Sequence, residues 1–121
     1  RRTSDRGVMT TADTTGAEVP IPSHVASVLY DVAREAVANA TLHAAPGSVE
    51  LHLTTEGGRV QLEVRDDGRG MDVEEKERGG FGLFSMRERV ALVNGTFSLE
   101  SRPGDGTRVV ASVALEDEDG Q

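Results

Sequence analysis

Cysteine and tryptophan are both absent from the 121-residue chain, and the aromatic side chains are one tyrosine and three phenylalanines. Without cysteine, a disulfide framework and a cysteine-ligated metal site are both excluded. So few aromatic rings disfavour recognition of nucleic acid by base stacking. No apolar run approaches the roughly 18 residues of a membrane span, and residues 1–4 do not lead into a signal-peptide core. We therefore expect no direct membrane insertion and a cytoplasmic location, although the full-length protein can still be anchored to a membrane.

Positive charge is also scarce, because 13 Lys and Arg face 21 Asp and Glu, for a net charge of −8. Such an acidic domain repels a phosphate backbone, so we expect no nucleic-acid partner. A small phosphate ligand remains possible where a loop, a helix N-terminus or a bound cation supplies local positive potential. Glycine, in contrast, is abundant at 14 residues, which indicates loops with unusual backbone angles or a close approach of a ligand.

A long helix is predicted to begin at Ser23, a favourable N-cap residue, and to end near residues 44–45, before Pro46-Gly47. Apolar residues recur along it at steps of three and four, which is the pattern of one buried helical face. Beside that face, polar side chains recur at every fourth position and therefore lie one above the other. This polar stripe consists of Asp31, Glu35, Asn39 and His43.

The rest of the chain predicts two hairpins and a second helix. Two segments of alternating apolar and polar residues flank Gly57-Gly58, which indicates an antiparallel hairpin with one buried face. Further along, Met86, Val90 and Val93 lie at helical steps, and Asn94-Gly95 supplies a C-terminal stop. The predicted elements are strands at residues 49–54, 60–65, 96–101 and 107–115 and a helix at residues 85–93.

This order of elements predicts an α/β protein, a two-layer sandwich in which a mixed, mostly antiparallel sheet carries helices on one face. The length fits one domain, which we place at residues 19–115. Residues 1–18 are interpreted as a lead-in with a possible short edge strand at residues 8–11, and residues 116–121 as an acidic tail that we expect to be disordered. Because the chain does not begin with Met, we expect it to be a piece of a longer protein.

Within the polar stripe, Glu35 and Asn39 place two oxygen ligands on one side of the helix, which suits a hard cation such as Mg²⁺. Taken alone, Glu35 is better explained by an ion pair with a surface arginine, and His43 by a helix cap or a satisfied core residue. An amide such as Asn39 on the inner side of a helix is less usual, because helix propensity and burial both count against it. The stripe by itself therefore leaves a metal-binding role and a structural role open.

Two glycine clusters frame a polar segment: Gly68 and Gly70 follow Asp66, and Gly80 and Gly82 precede Leu83. A glycine-rich loop that opens a helix offers backbone N–H groups and the helix dipole to phosphates. Neither cluster is a Walker A loop, and neither fits the dinucleotide-binding fingerprint. A hairpin turn at Asp67-Gly68 is disfavoured, because a polar stretch and not a returning strand follows it, whereas the second cluster is also compatible with a flexible loop. Each cluster alone is therefore weak evidence for a phosphate site.

Four motifs follow one another along the chain: Glu35-x-x-x-Asn39, Asp66-x-Gly68-x-Gly70, Gly80-x-Gly82-Leu83 and Gly106-Thr107. In this order they resemble the Bergerat-fold ATP-binding domain, the superfamily of gyrase, heat-shock chaperone, histidine kinase and mismatch-repair ATPases. The resemblance covers residues 19–115. Within it, residues 34–39, 43–44 and 82–90 are similar to the catalytic domain of two-component sensor histidine kinases of the nitrate-sensor and redox-sensor type.

The resemblance implies that Asp66 accepts a hydrogen bond from the adenine amino group and that Thr107 completes this network. It implies that Asn39 binds the Mg²⁺ that bridges the phosphates, and that Glu35 is the catalytic group beside the metal and the γ-phosphate. His43 is implied to lie near the phosphates or the ribose. With ATP and Mg²⁺ as cofactors, the implied nucleotide-binding residues are Asn39, His43, Asp66, Gly68, Gly70, Met71, Gly80, Gly82, Leu83 and Thr107.

The function implied by the resemblance is that of the ATP-binding catalytic domain of a sensor histidine kinase, which delivers the γ-phosphate to a histidine on a separate dimerisation domain. The three histidines of this chain all lie inside the ATP-binding region, so we expect no autophosphorylation by this chain alone. The expected partners are the dimerisation domain and, through a homodimeric full-length kinase, a response regulator.

Two departures from the kinase pattern keep other functions open. Leu42 stands where this branch usually carries Lys or Arg, and the lid at residues 72–78 is short and charged, with Lys76 and Arg78 as its only cations. The alternatives are an anti-sigma-factor-like serine kinase and a degenerate nucleotide-binding regulatory module. A more distant one is a hydrolysing ATPase that uses Glu35 as general base for water.

Overall fold

The computed structural model describes residues 2–5, 8–16, 20–41, 47–68 and 83–115. These residues form a six-stranded sheet of order β1-β2-β3-β4-β6-β5 and two helices. In chain order the elements are β1 (Arg2–Asp5), β2 (Val8–Gly16), α1 (Ser23–Asn39), β3 (Ser48–Glu56), β4 (Arg59–Asp66), α2 (Leu83–Leu92), β5 (Thr96–Ser101) and β6 (Thr107–Ala114).

Helix α1 begins at Ser23, but its N-cap residue is Pro22, so the predicted N-cap role of Ser23 is wrong. Pro22 is extended, with φ −54° and ψ 143°, and its carbonyl accepts the first two helical hydrogen bonds at 3.0 and 2.9 Å. An extended proline fits there because the ring fixes φ near −65° and the N-cap residue needs no N–H donor. The α-helix ends at Asn39, and the predicted end near residues 44–45 lies outside the described residues.

Strands β3 and β4 form the predicted antiparallel hairpin, paired from Glu56↔Arg59 to Val49↔Asp66. Gly57 and Gly58 both have positive φ, at 61° and 77°, as a two-residue type I′ turn requires. Along β4 the burial alternates with the two-residue period of a strand. The predicted hairpin with one buried face is therefore confirmed.

Strand β2 is longer than the strand anticipated at residues 8–11, and it lies inside the sheet. It pairs antiparallel with β1 and parallel with β3, so β1 occupies the edge. This parallel pair is the exception in a sheet whose other pairings are antiparallel. Residues 8–16 include four threonines and one glycine, and apolar and polar residues hardly alternate along them. The full length of β2 could therefore not be predicted from the sequence pattern.

Helix α2 begins at Leu83, two positions before the predicted start, and ends with the predicted stop signal. Asn94 has φ 59°, and the N–H groups of Asn94 and Gly95 donate to the carbonyls of Ala91 and Val90, both at 3.0 Å. This pair of bonds is a Schellman motif. It ends the helix sharply and returns the chain to β5.

Both helices pack on one face of the sheet, α1 over β4 and β6 and α2 against β5. This confirms a two-layer α/β sandwich with a mixed, mostly antiparallel sheet. Neither described helix combines the length and the apolar character needed to cross a membrane. The buried apolar side chains between the two layers are Val25, Leu29, Val32, Ala36, Ala40, Val49, Val60, Leu62, Val64, Leu83, Met86, Val90, Val109, Ala111 and Val113.

Candidate functional site

Two buried polar residues lie side by side at the end of β4, on the face of the sheet that the helices cover. Asp66 is the last residue of β4 and is paired with Thr107, the first residue of β6. Both residues are only 8% exposed, and together with Thr55 they are the buried polar residues of the described chain. The antiparallel register therefore brings two of the predicted site residues side by side under the helices.

The carboxyl group of Asp66 is held by the loop that follows it. Its Oδ1 accepts a hydrogen bond from the N–H of Gly68 at 2.8 Å. Burial raises the pKa of Asp66 above its ordinary value, and the charge of Asp67 acts in the same direction, whereas backbone N–H groups of Gly68 and Thr107 oppose the rise. A buried carboxyl that is oriented by backbone donors retains acceptor capacity for a ligand.

Gly106 is required next to Asp66 for two independent reasons. Its φ of +76° lies in the left-handed region, and a Cβ there would lie 2.3 Å from the backbone oxygen of Asp66. A side chain would therefore push β6 away from the end of β4. The Gly106-Thr107 motif is thus explained by the packing of Asp66 as well as by the start of a strand.

Ser101 is a site residue that the sequence analysis did not identify. Its Oγ donates to the carbonyl of Gly106 at 2.8 Å and lies 2.8 Å from Oγ1 of Thr107. The signal was available, because pairing the two predicted strands β5 and β6 places Ser101 opposite Thr107. Ser101 fixes the hydroxyl of Thr107 and so orients the polar group beside Asp66.

Asn39 approaches Asp66 and Thr107 from α1, and Leu83 approaches from the start of α2. These residues line a cavity of about 20 Å³, which is room for about one water molecule. A larger ligand must therefore widen the space between the helices and the sheet in order to enter. The complete lining is Ala36, Asn39, Ala40, Val64, Asp66, Leu83, Met86, Leu99, Thr107 and Val109.

A second, larger cleft of about 770 Å³ opens at the same end of the sheet and shares Asp66, Leu99 and Thr107 with the small cavity. Arg65 and Arg108 also line it. Arg102 lines it too, and the carboxylates of Asp66, Glu100 and Asp105 balance the three arginines, so the lining carries no excess of positive charge. A ligand that binds Asp66 can therefore extend from the small cavity into this cleft.

Glu35 is partly buried on α1 and does not line the small cavity. Within the described residues it has neither a hydrogen bond nor an ion pair, so none of the arginines in these ranges forms the surface ion pair considered for it. Asp31 of the same stripe does form ion pairs, with Arg34 at 3.3 Å and with Arg89 of α2. Within the polar stripe, Asp31 thus joins the two helices and Asn39 faces the site.

Several residues of the predicted site lie outside the described residues. They are His43, Gly70, Met71, Gly80 and Gly82, and the same holds for Leu42 and the segment 72–78. Among the residues that are described, no three His, Asp or Glu side chains cluster around a common point as a metal cage would require. Mg²⁺ often uses only one or two protein ligands together with phosphates and waters, so the amide of Asn39 fits such an ion.

The arrangement suits a flat, mostly apolar ring with one amino group. Alanine, valine, leucine and methionine side chains line the walls, and a carboxyl acceptor lies at the base. An ionised carboxylate accepts hydrogen bonds and donates none, so it selects a ligand that presents a donor. Adenine presents its amino group at the position where guanine presents an acceptor oxygen.

The fold and this site define a family. Residues 24–117 match the family described as "Histidine kinase-, DNA gyrase B-, and HSP90-like ATPase". The chain belongs to this family, and the resemblance found in the sequence is confirmed. Membership of this family identifies the chain as an ATP-binding domain.

Two curated relatives are named as a histidine-protein kinase/phosphatase and a sensor protein. The chain is 32% identical over 98 residues to "Signal transduction histidine-protein kinase/phosphatase DegS" of Brevibacillus brevis, covering 81% of this chain and 25% of that protein. It is 31% identical over 99 residues to "Sensor protein VraS" of Staphylococcus aureus strain COL, covering 82% of this chain and 28% of that protein. The chain thus spans about a quarter of the length of these relatives.

Two solved structures share the fold. The histidine kinase domain of the Erythrobacter litoralis EL346 blue-light activated histidine kinase superposes with a TM-score of 0.75 at 22% identity, covering 92% of this chain and 56% of that chain. Another structure of this kinase gives a TM-score of 0.75 at 24% identity, covering 93% of this chain and 37% of that chain. The α/β sandwich is therefore that of a histidine kinase ATPase domain.

Proposed function

We propose that this chain is the ATP-binding catalytic domain of a sensor histidine kinase, which delivers the γ-phosphate of ATP to a histidine on a separate dimerisation domain. Family membership and the two relatives named as a histidine kinase and a sensor protein support this proposal. The full-length protein would be a homodimer that acts in the cytoplasm, with or without a membrane anchor, and would pass the phosphoryl group to a response regulator.

The observation that carries the proposal is the buried pair of Asp66 and Thr107 at the base of an apolar cavity. Asp66 accepts the adenine amino hydrogen bond, and Ser101 and Thr107 hold the neighbouring hydroxyl network in place. Asn39 would hold Mg²⁺ through its amide oxygen, and the ion would neutralise phosphate charge when bound. Glu35, one helical turn before Asn39, orients the group that approaches the γ-phosphate.

The proposal is tested by isothermal titration of a non-hydrolysable ATP analogue into this chain with and without Mg²⁺. We expect Mg²⁺-dependent binding by the wild type, and a loss of about 10- to 100-fold in Asp66→Ala, because the amino group then lacks its acceptor. The matched control is Glu50→Ala, an exposed carboxylate on the opposite face of the sheet. Absence of Mg²⁺-dependent binding in the wild type would contradict the proposal.

A second measurement separates the kinase from its alternatives. We expect no labelled phosphate on this chain when it is incubated alone with γ-labelled ATP, and label on a histidine when the dimerisation domain of a related kinase is added. Label on a serine of a partner protein would instead identify a serine kinase, and rapid release of free phosphate would identify a hydrolase.

A further inference from the structure

Asp67 follows Asp66 in the chain but binds different partners. Its Oδ1 accepts hydrogen bonds from the backbone N–H groups of Gly47 at 2.8 Å and Ser48 at 2.9 Å. Its Oδ2 accepts a third from Oγ of Ser48 at 3.2 Å. One exposed carboxylate therefore holds the chain at the start of β3, 19 and 20 positions away in sequence. We call this set of contacts the Asp67 link.

The Asp67 link extends the sheet beyond its last regular pair. The β3–β4 register ends at Val49↔Asp66, and the N–H of Asp67 donates to the carbonyl of Ser48 at 3.3 Å. On the other side of the same segment, a Cβ on Gly106 would lie 2.3 Å from the backbone oxygen of Asp66 and 3.4 Å from Cα of Asp67. The backbone that carries Asp66 is therefore held between β3 and β6.

The link also has the properties of a persistent contact. The N–H of Ser48 is the largest of the influences that lower the pKa of Asp67, and the N–H of Gly47 and the hydroxyl of Ser48 add to it. The carboxylate is therefore ionised at neutral pH, and hydrogen bonds to an ionised acceptor are about twice as strong as neutral ones. Three such bonds on one side chain restrict the direction in which the preceding residue points.

We propose that Asp67 is a positioning residue for nucleotide selectivity, because the Asp67 link fixes the angle at which the carboxylate of Asp66 meets the amino group of adenine. The proposal rests on the proposed function. Hydrogen bonds weaken steeply when their angle departs from linearity, so a freely tilting Asp66 would lose affinity for ATP. Its discrimination against GTP would fall as well, since the repulsion between Asp66 and the guanine oxygen also depends on this alignment.

Two substitutions separate the geometry of the link from its charge. Asp67→Asn removes the charge but keeps an oxygen for the two backbone N–H groups and places an NH₂ group against the hydroxyl of Ser48. Asp67→Glu keeps the charge but moves the oxygens away by one methylene group. Asp67→Ala removes both. Asp67 is exposed, so all three variants are expected to fold, and Glu56→Gln at the far end of β3 is the matched control.

The experiment measures dissociation constants of this chain for non-hydrolysable ATP and GTP analogues in the presence of Mg²⁺. We expect Asp67→Ala and Asp67→Glu to weaken ATP binding about tenfold and to lower the ATP/GTP selectivity by a similar factor. Asp67→Asn and Glu56→Gln should stay within about twofold of the wild type. A merely structural role would lower both affinities equally and leave the selectivity unchanged.

The possible outcomes are distinguishable. If the wild type binds neither analogue, the proposed function fails, and the role of Asp67 fails with it. If the wild type binds ATP but Asp67→Ala retains its affinity and selectivity, only the role of Asp67 is overturned. If Asp67→Asn behaves like Asp67→Ala while Asp67→Glu behaves like the wild type, charge and not position is responsible, and the positioning role is likewise overturned. Amide hydrogen exchange at Gly47 and Ser48 checks the link directly, since protection should fall in Asp67→Ala and persist in Asp67→Asn.

Discussion

Glu63 and Asp66 are carboxylates of the same strand, three residues apart, and they therefore point to opposite faces of the sheet. On the open face, Glu63 pairs with Arg108 and, at 3.2 Å, with Arg65. The hydrogen bond from Arg108 is the main cause that lowers the pKa of Glu63. On the helix-covered face, Asp66 is buried, and burial raises its pKa.

The difference shows how one strand serves two purposes. The charge of Glu63 on the open face is compensated by two neighbouring arginines. Asp66 instead has backbone donors and no described cation beside it, so its charge is kept for a ligand at some cost in stability. The two faces should consequently respond differently to substitution.

The largest difference is expected between neighbouring residues of β4. Leu62→Ala on the covered face removes a side chain that is 5% exposed and should lower the free energy of unfolding by about 3 kcal/mol. Gln61→Ala, on the open face of the same strand, should change it by less than about 0.5 kcal/mol. Urea denaturation of both variants provides the measurement. Similar losses in the two variants would contradict the assignment of the faces.

A smaller effect is expected from Glu63→Gln, which removes the ion pair with Arg108. The loss should be about 1 kcal/mol or less at neutral pH, because the pair is partly exposed to solvent. Since the native pKa of Glu63 is lowered, its stabilisation is present above the pKa of the unfolded chain and is lost as the pH falls through the native pKa. Denaturation curves across the acid range should therefore converge for Glu63→Gln and the wild type. A difference that persists at low pH would argue against the ion pair as its cause.

The smallest effect on stability, and one of opposite sign, is expected from Asp66→Asn. The native pKa of Asp66 is raised, so ionisation opposes folding at neutral pH and this cost disappears as the pH falls through the native pKa. Asparagine retains an acceptor for Gly68 without the charge and should stabilise the chain by a few tenths of a kcal/mol at pH 7. The same variant should lose affinity for ATP. A thermal melt paired with a binding titration measures both changes, and a destabilised variant would contradict the assigned cost.

Much of the fold follows from local patterns in the sequence. Gly57-Gly58 and the alternating strands around it predict the first hairpin, and Asn94-Gly95 predicts the end of α2. The pairing of Asp66 with Thr107 could be predicted only from the resemblance of the motifs to a known family. Local patterns do not reveal it, because the two residues are 41 positions apart and meet through the register of two strands. The site assignments as a whole stay predictions until binding is measured.

Other features were out of reach for physical reasons. Pro22 replaces Ser23 as the N-cap because the direction of the incoming chain decides which residue is extended, and residue preference alone does not contain that information. The Asp67 link is not visible in local sequence either, because a carboxylate that accepts from backbone N–H groups can find such donors on any neighbouring strand.

The parallel pairing of β2 with β3 has a consequence for any shortened form of the domain. The family match begins at residue 24, after β2 has ended. A chain cut there would leave the nine-residue strand Ser48–Glu56 with one row of N–H and C=O groups unpaired beside the partly buried Leu51 and Leu53. Exposed edges of this kind add strands from other molecules. Strand β2 therefore covers this edge of β3, and a chain without β2 should aggregate more readily.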